Sequence, residues 1–469
     1  MYYIKKSKVK MKNLLKRTLS IEATEKIGQE VLLKGWVERI RGHGKLIFFD
    51  LRDRKSLVQV VVNAQHSEKV FKVAGEIRPE FAIELLGLVH KRPESAVNKN
   101  LSTGSIEIEA KDIKILASAE TLPFDTTKKD LNLELPTLLD FRSLTLKHSR
   151  QQVIFKVQEV IADAFREASK KLDCTEIFIP TIAASATEGG AEVFEVDYYG
   201  HHAFLTQSPQ LYKQIMAGVF ERVYTIGHAY RAEPSVTTRH LSESVQMDCE
   251  IAFIDDFKEL LDALEFVGSY VVSKTVEKCR EMVLSFGKDL PLVPKEIPRL
   301  KMREVQEIIF KRSGRDVRSE IDLSAEDEKE IWSWAREEKG SDFVTITHYP
   351  TKKRAFYTYP DPENPEYSLS YDLIFRGLEI LSGSQRINDY DQLLKTMQER
   401  GLNPENFNIY LQTFKYGMPP EGGFSFGLER ITMKLLNLQN VREASAFPRD
   451  MERVDERFAV IEKKDHKNT

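Results

Sequence analysis

Five short apolar or alternating runs between Val31 and Leu116 constrain the fold of this chain more than any other feature. Charged or glycine-containing turns separate these runs, which read EVLLKGWVERI, KLIFFDLRD, LVQVVVN, FAIELLGLVHK and SIEIEAKDIKIL. Runs of this length and composition are typical of β-strands. Five strands in about 90 residues suit a small barrel such as an OB-fold, which commonly binds single-stranded nucleic acid on its face.

Basic and aromatic residues lie close together in the first part of this segment. The basic residues are Arg39, Arg41, Lys45 and Arg52, and the aromatic pair is Phe48 and Phe49. Basic groups can follow a phosphate backbone while an aromatic ring stacks on a base. Because strand side chains alternate, one phenylalanine must point into the core. The residues alone leave both RNA binding and an ordinary strand core open.

Length and composition set the broad class. A chain of 469 residues should hold two or three domains. Its 41% hydrophobic and 30% charged residues describe a soluble globular protein, and a net charge of −3 requires local basic patches for any nucleic-acid contact. The three cysteines lack CxxC spacing, so we expect reduced thiols and no zinc site. No apolar run approaches the ~20 residues of a membrane span and no signal peptide is recognisable, so we expect a cytoplasmic protein without membrane contact.

Composition shifts divide the chain into four parts. Residues 1–20 form a basic extension, and its first seventeen residues carry seven Lys or Arg and no acid. Such an arm can bind phosphates, but a disordered tail, or an overextended start with Met11 as the natural first residue, is favoured. Residues 21–117 hold the barrel, and residues 118–147, with two prolines and no sustained periodicity, form a connector. Residues 148–469 form the second domain.

A long amphipathic helix should open the second domain. Apolar residues recur at helical spacing across HSRQQVIFKVQEVIADAFREASKKLD, at Ile154, Val157, Ile161, Ala164, Phe165, Ala168 and Leu172. The strand EIFIP follows and ends at Pro180, which belongs at a strand end or a sheet edge. Helix and strand together could pair with a second copy of the chain across a two-fold axis, or form ordinary core.

The stretch RAEPSVTTRHLSESVQMDCEIAF, residues 231–253, places charged residues at the turn of a hairpin. The runs RVYTIGHAYRAE and MDCEIAFI enclose a polar loop that carries Arg231, Glu233, Arg239 and His240. Buried charges are costly unless paired, so this cluster indicates a site for a charged, planar ligand such as a nucleotide. A solvated hairpin tip is the alternative.

Three further segments bear on a site. TEGGAEVF offers Glu188 beside Gly189 and Gly190, and FLTQSPQLYKQ offers Lys213 on a helix that begins near Ser208, although singly these are ordinary loop and surface residues. The region from about 255 to 345, including the charged helix AEDEKEIWSWAREEKG, is interpreted as scaffold.

The last 110 residues combine acids, glycines and arginines. Consecutive extended runs carry Asp372, Glu379, Ser382 and Arg386. In PPEGGFSFGLERITMKLLNL a glycine-rich strand end precedes a helix with Glu429 and Arg430 in its first turn. Amides at a helix N-terminus and an arginine favour phosphate, and nearby carboxylates could hold Mg²⁺. Neither a Walker A loop nor a GxGxxG fingerprint is present.

Taken together, these segments resemble the class II aminoacyl-tRNA synthetases of the aspartyl, asparaginyl and lysyl subgroup, most closely the archaeal and eukaryotic type of aspartyl enzyme. The resemblance covers about residues 20 to 450 and rests on three ordered motifs: the helix and strand ending at Pro180, the RAE…TRHL hairpin, and GGFSFGLER closing with AFPRD. It implies an α+β fold, with a five-stranded OB barrel before a catalytic domain of antiparallel sheet flanked by helices. It also implies a homodimer whose substrates are ATP, L-aspartate and tRNA.

The resemblance implies a two-step reaction and a set of site residues. The amino acid α-carboxylate attacks the α-phosphate of ATP, and the 3′-terminal adenosine of tRNA then takes the aminoacyl group. Arg231 and Arg430 would be the catalytic residues. The ATP site would comprise Arg231, Glu233, Arg239, His240, Leu241, Glu379, Gly427, Leu428, Glu429 and Arg430. Mg²⁺ would be held by Glu379 and Ser382, with Asp372 nearby, and the hairpin loop from Pro234 to Thr238 would approach the tRNA end.

Amino acid choice rests on cations, because an aspartate pocket must neutralise a second carboxylate. The resemblance assigns the substrate to Glu188, Gln210, Lys213, Arg231, Ser382 and Arg386. A lysine at the position of Lys213 is typical of aspartyl enzymes, whereas the arginine is shared with asparaginyl ones. An asparagine–tRNA ligase and a weakly catalytic RNA-binding paralogue remain alternatives, and a lysyl enzyme is disfavoured.

Two further expectations follow from the resemblance. Phe48 and Gln59 match positions that stack on and hydrogen-bond to anticodon bases. The chain departs from the family at Glu421, Ser425 and Ser244, where histidine, glycine and an aromatic residue are common. We expect Glu421 to lie near ATP and weaken anion binding, and Ser425 to stiffen a glycine-rich turn.

Overall fold

The computed structural model describes residues 17–128, 130–185, 192–234, 237–287 and 289–458. These residues form two compact units, divided between Leu131 and Asn132, a position inside the expected connector. All of the basic N-terminal extension before Arg17 lies outside the described residues.

The first unit is a closed five-stranded barrel. Its strands follow the order β1-β2-β3-β5-β4, with the bounds β1 (Glu30–His43), β2 (Leu46–Arg52), β3 (Leu57–Asn63), β4 (Ala82–Lys91) and β5 (Ile106–Ala117). The five strand predictions are confirmed. The sequence interpretation missed helix α1 (Glu68–Glu76), which packs against β3 and β5. Two short 3-10 helices cover Ile21–Glu25 and Glu94–Ala96.

The second unit contains ten helices and eleven strands among its described residues. The helices are α2 (Leu135–Asp140), α3 (Arg142–Thr145), α4 (Ser149–Lys171), α5 (Gln210–Phe220), α6 (Phe257–Leu284), α7 (Met302–Ser313), α8 (Ala325–Lys339), α9 (Tyr390–Glu399), α10 (Asn408–Lys415) and α11 (Leu428–Leu435). The strands are β6 (Thr175–Glu176), β7 (Ile182–Ala183), β8 (Glu195–Tyr198), β9 (His201–Leu205), β10 (Arg222–Tyr230), β11 (Glu243–Ala252), β12 (Arg299–Lys301), β13 (Phe343–Thr347), β14 (Ser370–Phe375), β15 (Glu379–Gln385) and β16 (Glu421–Gly427). Short 3-10 helices cover Thr351–Lys353, Pro404–Phe407 and Val441–Ala444.

Eight of these strands form the main sheet, in the order β12-β13-β14-β15-β16-β11-β10-β6. The six central strands are antiparallel, as expected. Each edge strand is parallel to its neighbour, so the whole sheet is mixed. A separate small sheet has the order β7-β9-β8. The α+β class is confirmed.

Helix α4 confirms the periodicity read from the sequence. Its residues Ile154, Val157, Ile161, Ala164, Phe165 and Ala168 are fully buried, and the helix packs against α6 and α11. The strand expected after it is only two residues long and lies at the edge of the main sheet. Because the apolar face is covered within the chain, α4 serves as a core helix here. None of the helices in the described residues is long and apolar enough to cross a membrane.

Candidate active site

A cavity of about 520 Å³ lies beside the central strands of the main sheet. Most residues that the sequence assigned to a site line this one cavity, namely Gln210, Lys213, Arg231, Glu233, Arg239, His240, Leu241, Glu379, Ser382, Arg386, Gly427, Glu429 and Arg430. Three segments far apart in sequence therefore meet: the β10–β11 hairpin, strand β15, and the junction of β16 with α11.

Three assigned residues are placed differently. Glu188, with Gly189 and Gly190, lies outside the described residues. Asp372 is buried and is not part of the cavity wall. Leu428 is the first residue of α11 and packs into the hydrophobic core, so its side chain does not line the cavity.

The β10–β11 hairpin brings its charged residues to one end of the cavity. Antiparallel pairing runs from Arg222↔Ile251 to Tyr230↔Glu243, and the Arg231 amide then donates to the Ser242 carbonyl at 2.8 Å. The Arg231 guanidinium lies 3.7 Å from the Glu233 carboxylate and remains about half exposed. A cation held this way can receive a phosphate or carboxylate without losing a buried partner.

His240 lies on the other side of Glu233, with Nε2 3.8 Å from Oε2 of that carboxylate. Burial lowers the pKa of His240, and the neighbouring arginines lower it further against the opposing effect of Glu233. The imidazole is therefore neutral near pH 7 and can act as a hydrogen-bond donor.

Arg239 is held by a residue that the sequence interpretation missed. Its Nη1 lies 2.6 Å from Oε1 of Glu328, on α8, and the other oxygen of Glu328 accepts from the Glu379 amide at 2.9 Å. Glu328 is only 3% exposed. Interpreting the charged helix as surface scaffold was therefore wrong, because α8 places one carboxylate against the site.

Helical spacing could have revealed Glu328. Glu328, Ile331 and Ala335 follow the i, i+3, i+7 pattern of one helix face, and all three are buried. This face packs α8 on β13. An acid that shares the apolar stripe of a charged helix needs a partner, and Arg239 supplies it.

Carboxylate and hydroxyl oxygens gather near Arg430. Glu379 lies 3.4 Å from the Arg430 guanidinium, and burial, together with Asp372 and Glu328, raises its pKa to about 7. Arg354, which was also missed, donates to Asp372 at 2.8 Å and to Ser382 at 3.1 Å. No motif identifies Arg354, which lies in a loop.

The cavity-facing oxygens fit a magnesium ion that takes most of its ligands from phosphates. Glu379 and Ser382 line the wall. Behind the wall, Oδ1 of Asp372 is buried and accepts no hydrogen bond from the described residues. Magnesium commonly binds one or two carboxylates plus phosphate oxygens. Among the described residues no group of three or more acidic, histidine or cysteine side chains could hold a metal by itself.

The opposite end of the cavity holds a buried ion cluster. Lys213 lies 2.9 Å from Asp248 and 3.1 Å from Glu250, and Arg386 lies 2.8 Å from Glu250. Gln210 links the two sides, because it donates to Glu250 at 3.2 Å and accepts from Arg386 at 3.1 Å. All five residues are less than 5% exposed. Buried charges of this kind persist only as mutual partners.

Asp248 and Glu250 were not singled out in the sequence, although a signal exists. They are two residues apart in the apolar run MDCEIAFI, so they share one face of β11. Burial lowers the pKa of Lys213, but the two carboxylates outweigh this effect and raise it. The ammonium group is therefore charged at the cavity wall.

The structure contradicts the expectations for Glu421 and Ser425, two of the three positions at which the chain departs from the family. Glu421 is fully buried at the start of β16 and is not part of the cavity wall, so the expectation that it lies near ATP is wrong. Ser425 lies within strand β16 and donates to Gln246 at 2.9 Å, so it does not stiffen a turn. Ser244 accepts a hydrogen bond from the same glutamine at 3.0 Å.

The two residues assigned to anticodon contact lie on neighbouring strands of the barrel. Phe49 is buried, whereas Phe48 is partly exposed on β2. Gln59 on β3 pairs with Asp50, two positions from Phe48, so both side chains are on the outer face.

The hairpin loop assigned to the tRNA end is only partly described. Ser235 and Val236 lie outside the described residues. At the far end of the loop, the Thr238 carbonyl accepts from the Val441 amide at 2.8 Å.

Comparisons with known proteins cover nearly the whole chain. The family described as tRNA synthetases class II (D, K and N) matches residues 134–451, and the OB-fold nucleic acid binding domain matches residues 31–116. The chain is 39% identical to the aspartate–tRNA(Asp/Asn) ligase of Thermus thermophilus, over 93% of this chain and 99% of that one. It is 36% identical to the aspartate–tRNA(Asp) ligase of Pyrococcus abyssi, over 94% of this chain and 100% of that one.

A solved structure shares the whole architecture. Asparaginyl-tRNA synthetase from Pyrococcus horikoshii, complexed with asparaginyl-adenylate, superposes with a TM-score of 0.85 at 30% identity, and the match covers 93% of this chain and 99% of that one. This solved enzyme is named for asparagine, whereas the two ligases compared by sequence are named for aspartate. The fold by itself therefore does not identify the amino acid substrate.

Proposed function

Because the chain belongs to the class II tRNA synthetases (D, K and N), we propose that it is an aspartate–tRNA ligase, which activates L-aspartate with ATP and transfers the aspartyl group to tRNA. The observation that carries the choice of amino acid is the buried cluster of Lys213, Asp248, Glu250 and Arg386 at one end of the cavity. Both cations line the wall, where a ligand carboxylate can reach them.

The first step needs positioning and charge stabilisation more than proton transfer. The aspartate α-carboxylate attacks the α-phosphorus of ATP, a carboxyl–phosphate bond forms, and the bond to the leaving pyrophosphate breaks. No general base is required because the nucleophile is already ionised. Arg231, which is about half exposed at the hairpin, would stabilise the charge developing on the α-phosphate.

The remaining hairpin residues would hold the rest of the nucleotide. Arg239 and neutral His240 would contact the outer phosphates, Glu233 would accept from the adenine amino group, and Arg430 would pair with the γ-phosphate. The family uses ATP and a divalent metal in general. Here Glu379 and Ser382 would hold Mg²⁺, which neutralises phosphate charge when bound.

Selection of aspartate would follow from charge. A side-chain carboxylate gains charge-assisted hydrogen bonds from Lys213 and Arg386, whereas an amide has only one neutral acceptor oxygen and turns its NH₂ group toward the other donor. Gln210 and Ser382 line the same cavity and would complete the amino acid site.

In the second step the 3′-terminal adenosine of tRNA takes the aspartyl group from the adenylate and releases AMP. Phe48 would stack on an anticodon base, with Gln59 beside it as a hydrogen-bonding group. The named relatives differ in whether they charge one tRNA or two, and parallel charging of tRNA(Asp) and tRNA(Asn) transcripts separates these cases. We infer a cytoplasmic enzyme, because its product would supply translation there.

We further infer a homodimer built around the edge of the main sheet. Strand β6 ends this sheet after two residues, and Phe178, two residues beyond it, is 88% exposed. Among the described residues no strand pairs with the outer edge of β6, so this edge and the exposed phenylalanine form a surface that a second copy could cover. Sedimentation equilibrium of the wild type and of Phe178→Ser tests this inference.

ATP–pyrophosphate exchange with aspartate and asparagine in parallel tests the proposed function. We expect exchange with aspartate and at least about 100-fold less with asparagine, which corresponds to roughly 3 kcal/mol of discrimination. Exchange with asparagine alone would make the chain an asparagine–tRNA ligase. Exchange with neither would favour an RNA-binding paralogue.

A further inference from the structure

Glu421 is a buried acid that the proposed reaction does not use. It is fully buried at the start of β16, behind the amino acid end of the cavity. Gln214 Nε2 donates to its Oε1 at 2.6 Å, and Tyr410 donates its hydroxyl to the Gln214 carbonyl oxygen at 3.0 Å. In this orientation of the Gln214 amide, Oε1 of Glu421 is an acceptor.

The other oxygen of Glu421 receives no N–H or O–H group from the described residues. Antiparallel register pairs Glu421 with Ala252, so Glu421 lies on the same face of the sheet as Glu250, two residues along β11. The two carboxyl groups are both fully buried and interact with each other. Two carboxylates cannot share a hydrogen bond, but a carboxylic acid and a carboxylate can. A hydrogen bond between these two neighbours therefore requires one proton.

The other hydrogen bonds show which acid carries that proton. Glu250 already accepts from Arg386 at 2.8 Å and from Gln210 at 3.2 Å, and Lys213 lies 3.1 Å away. Burial raises the pKa of Glu250, but these cations and a hydrogen bond from Glu421 bring it to about 2. Burial raises the pKa of Glu421 well above its ordinary range, and Glu250 adds to this effect.

The charge balance of the pocket agrees with this assignment. The buried ionisable groups are Lys213, Arg386, Asp248, Glu250 and Glu421. Two cations and three carboxylates would leave a net charge of −1 if all were ionised, in a pocket that must accept an anionic amino acid. With Glu421 neutral the cluster is neutral, and burial of an unpaired charge is avoided.

Other groups near Glu421 do not change this balance. Gln214 comes from α5, Tyr410 from α10 and Tyr371 from β14, and Arg386 follows β15. Burial raises the pKa of both tyrosines well above their ordinary range, so they stay neutral. Arg386 is the one cation among these groups, and Glu250 is its direct partner.

We propose that Glu421 is a neutral carboxylic acid that donates its proton to Glu250 and so acts as a positioning residue for aspartate selection. It holds the carboxylate that orients Arg386 and Lys213, and it adds no negative charge to the pocket. The inference rests on the proposed function, since it concerns the amino acid that this pocket takes.

The comparison of wild type and Glu421→Gln tests the proposal through the pH dependence of the KM for aspartate. Glutamine keeps an acceptor for Gln214 and a donor for Glu250, but it cannot ionise. Near neutral pH we expect the two KM values to agree within about threefold, a difference below 1 kcal/mol. As the pH rises, ionisation of Glu421 should raise the wild-type KM for aspartate, whereas the variant lacks this rise.

Aspartate and the other ionisable groups of the protein also lose protons at high pH, but they do so equally in wild type and Glu421→Gln. The difference between the two pH profiles of the KM for aspartate therefore reports the ionisation of Glu421. The KM for ATP serves as an internal control and should follow the same pH profile in both. Superimposable aspartate profiles would overturn the proposal. A large loss of aspartate affinity in Glu421→Gln at neutral pH would overturn it too, since it would mean that the residue acts as an anion.

A measurement on the wild type alone guards against misfolding of the variant. At a pH where the wild-type KM has begun to rise, aspartate binding should take up a proton, seen by calorimetry in buffers of different ionisation enthalpy. Binding without proton uptake there, or a wild-type KM that does not rise, contradicts the proposal. Aspartate-dependent exchange at neutral pH tests the proposed function separately.

Discussion

The ammonium group of Lys213 lies 2.9 Å from Oδ1 of Asp248, and neither side chain is more than 2% exposed. The contact joins helix α5 to strand β11, so the cation of the amino acid pocket is fixed before any substrate arrives. Removing one partner of such a pair costs about 3–5 kcal/mol because the other charge stays buried. The fold thus depends on the same charges that we assign to substrate selection.

Arg231→Ala should slow adenylate formation without destabilising the protein. The guanidinium is about half exposed and the Glu233 carboxylate lies 3.7 Å away, so this ion pair contributes little to the free energy of unfolding. Loss of a group that stabilises transition-state charge typically lowers the rate about 100- to 1,000-fold. Pyrophosphate exchange and a thermal melt of the same preparation measure the two effects, and near-normal exchange would remove Arg231 from the mechanism.

Glu328→Gln should raise the KM for ATP about tenfold or more, because Arg239 loses a charge-assisted partner at 2.6 Å. The KM for aspartate should not change. Glu330→Gln is the matched control, since Glu330 is on the same helix and pairs with Arg312 away from the cavity. If Glu328→Gln instead binds ATP more tightly, Glu328 competes with the phosphates for Arg239.

Glu429→Gln should become more stable than the wild type as the pH rises. Burial raises the pKa of Glu429 from 4.5 to about 7, so the folded state favours the neutral acid. The stabilisation is complete below the ordinary pKa and is lost as the pH rises through 7. Since glutamine cannot ionise, the gap in unfolding free energy should open as the pH rises from 4.5 to 7 and level off above pH 7 at about 3 kcal/mol.

Urea denaturation of both proteins at about pH 5 and about pH 8.5 measures this gap. If the unfolding free energies of the two proteins differ by the same amount at both pH values, Glu429 is ionised in the folded protein at both.

Phe48→Ala should weaken tRNA charging and leave pyrophosphate exchange unchanged. A stacked base contributes about 1–3 kcal/mol, so kcat/KM for tRNA should fall roughly 5- to 150-fold. Leu86→Ala is the control, because Leu86 is 38% exposed on β4, a strand that pairs with neither β2 nor β3. A similar loss in both variants would mean that the barrel, not the stacking ring, was damaged.

The parts of the fold that could be predicted depend on local patterns. Alternation along β2 placed one of two phenylalanines inside, and Phe49 is the buried one. Helical spacing identified the buried face of α4, and turn residues bounded the five barrel strands. Each of these signals lies within one helix, strand or turn, so it can be recognised without knowing which other segments pack against that element.

The contacts that complete the site depend on packing between distant segments. Asp248 and Glu250 meet Lys213 because α5 packs on β11. Glu328 reaches Arg239 across 89 residues of chain. Nothing local distinguishes Glu328 from the other acids of α8 except its place on the apolar stripe, and Arg354 has no local signal at all.

The ratio of kcat/KM for aspartate to that for asparagine, measured by pyrophosphate exchange in wild type and Lys213→Met, tests the central claim most directly. Because both amino acids are measured on one preparation, the ratio is independent of how much of the variant is folded. Loss of one charge-assisted hydrogen bond should lower the ratio about 10- to 100-fold. An unchanged ratio would show that Lys213 does not select the substrate.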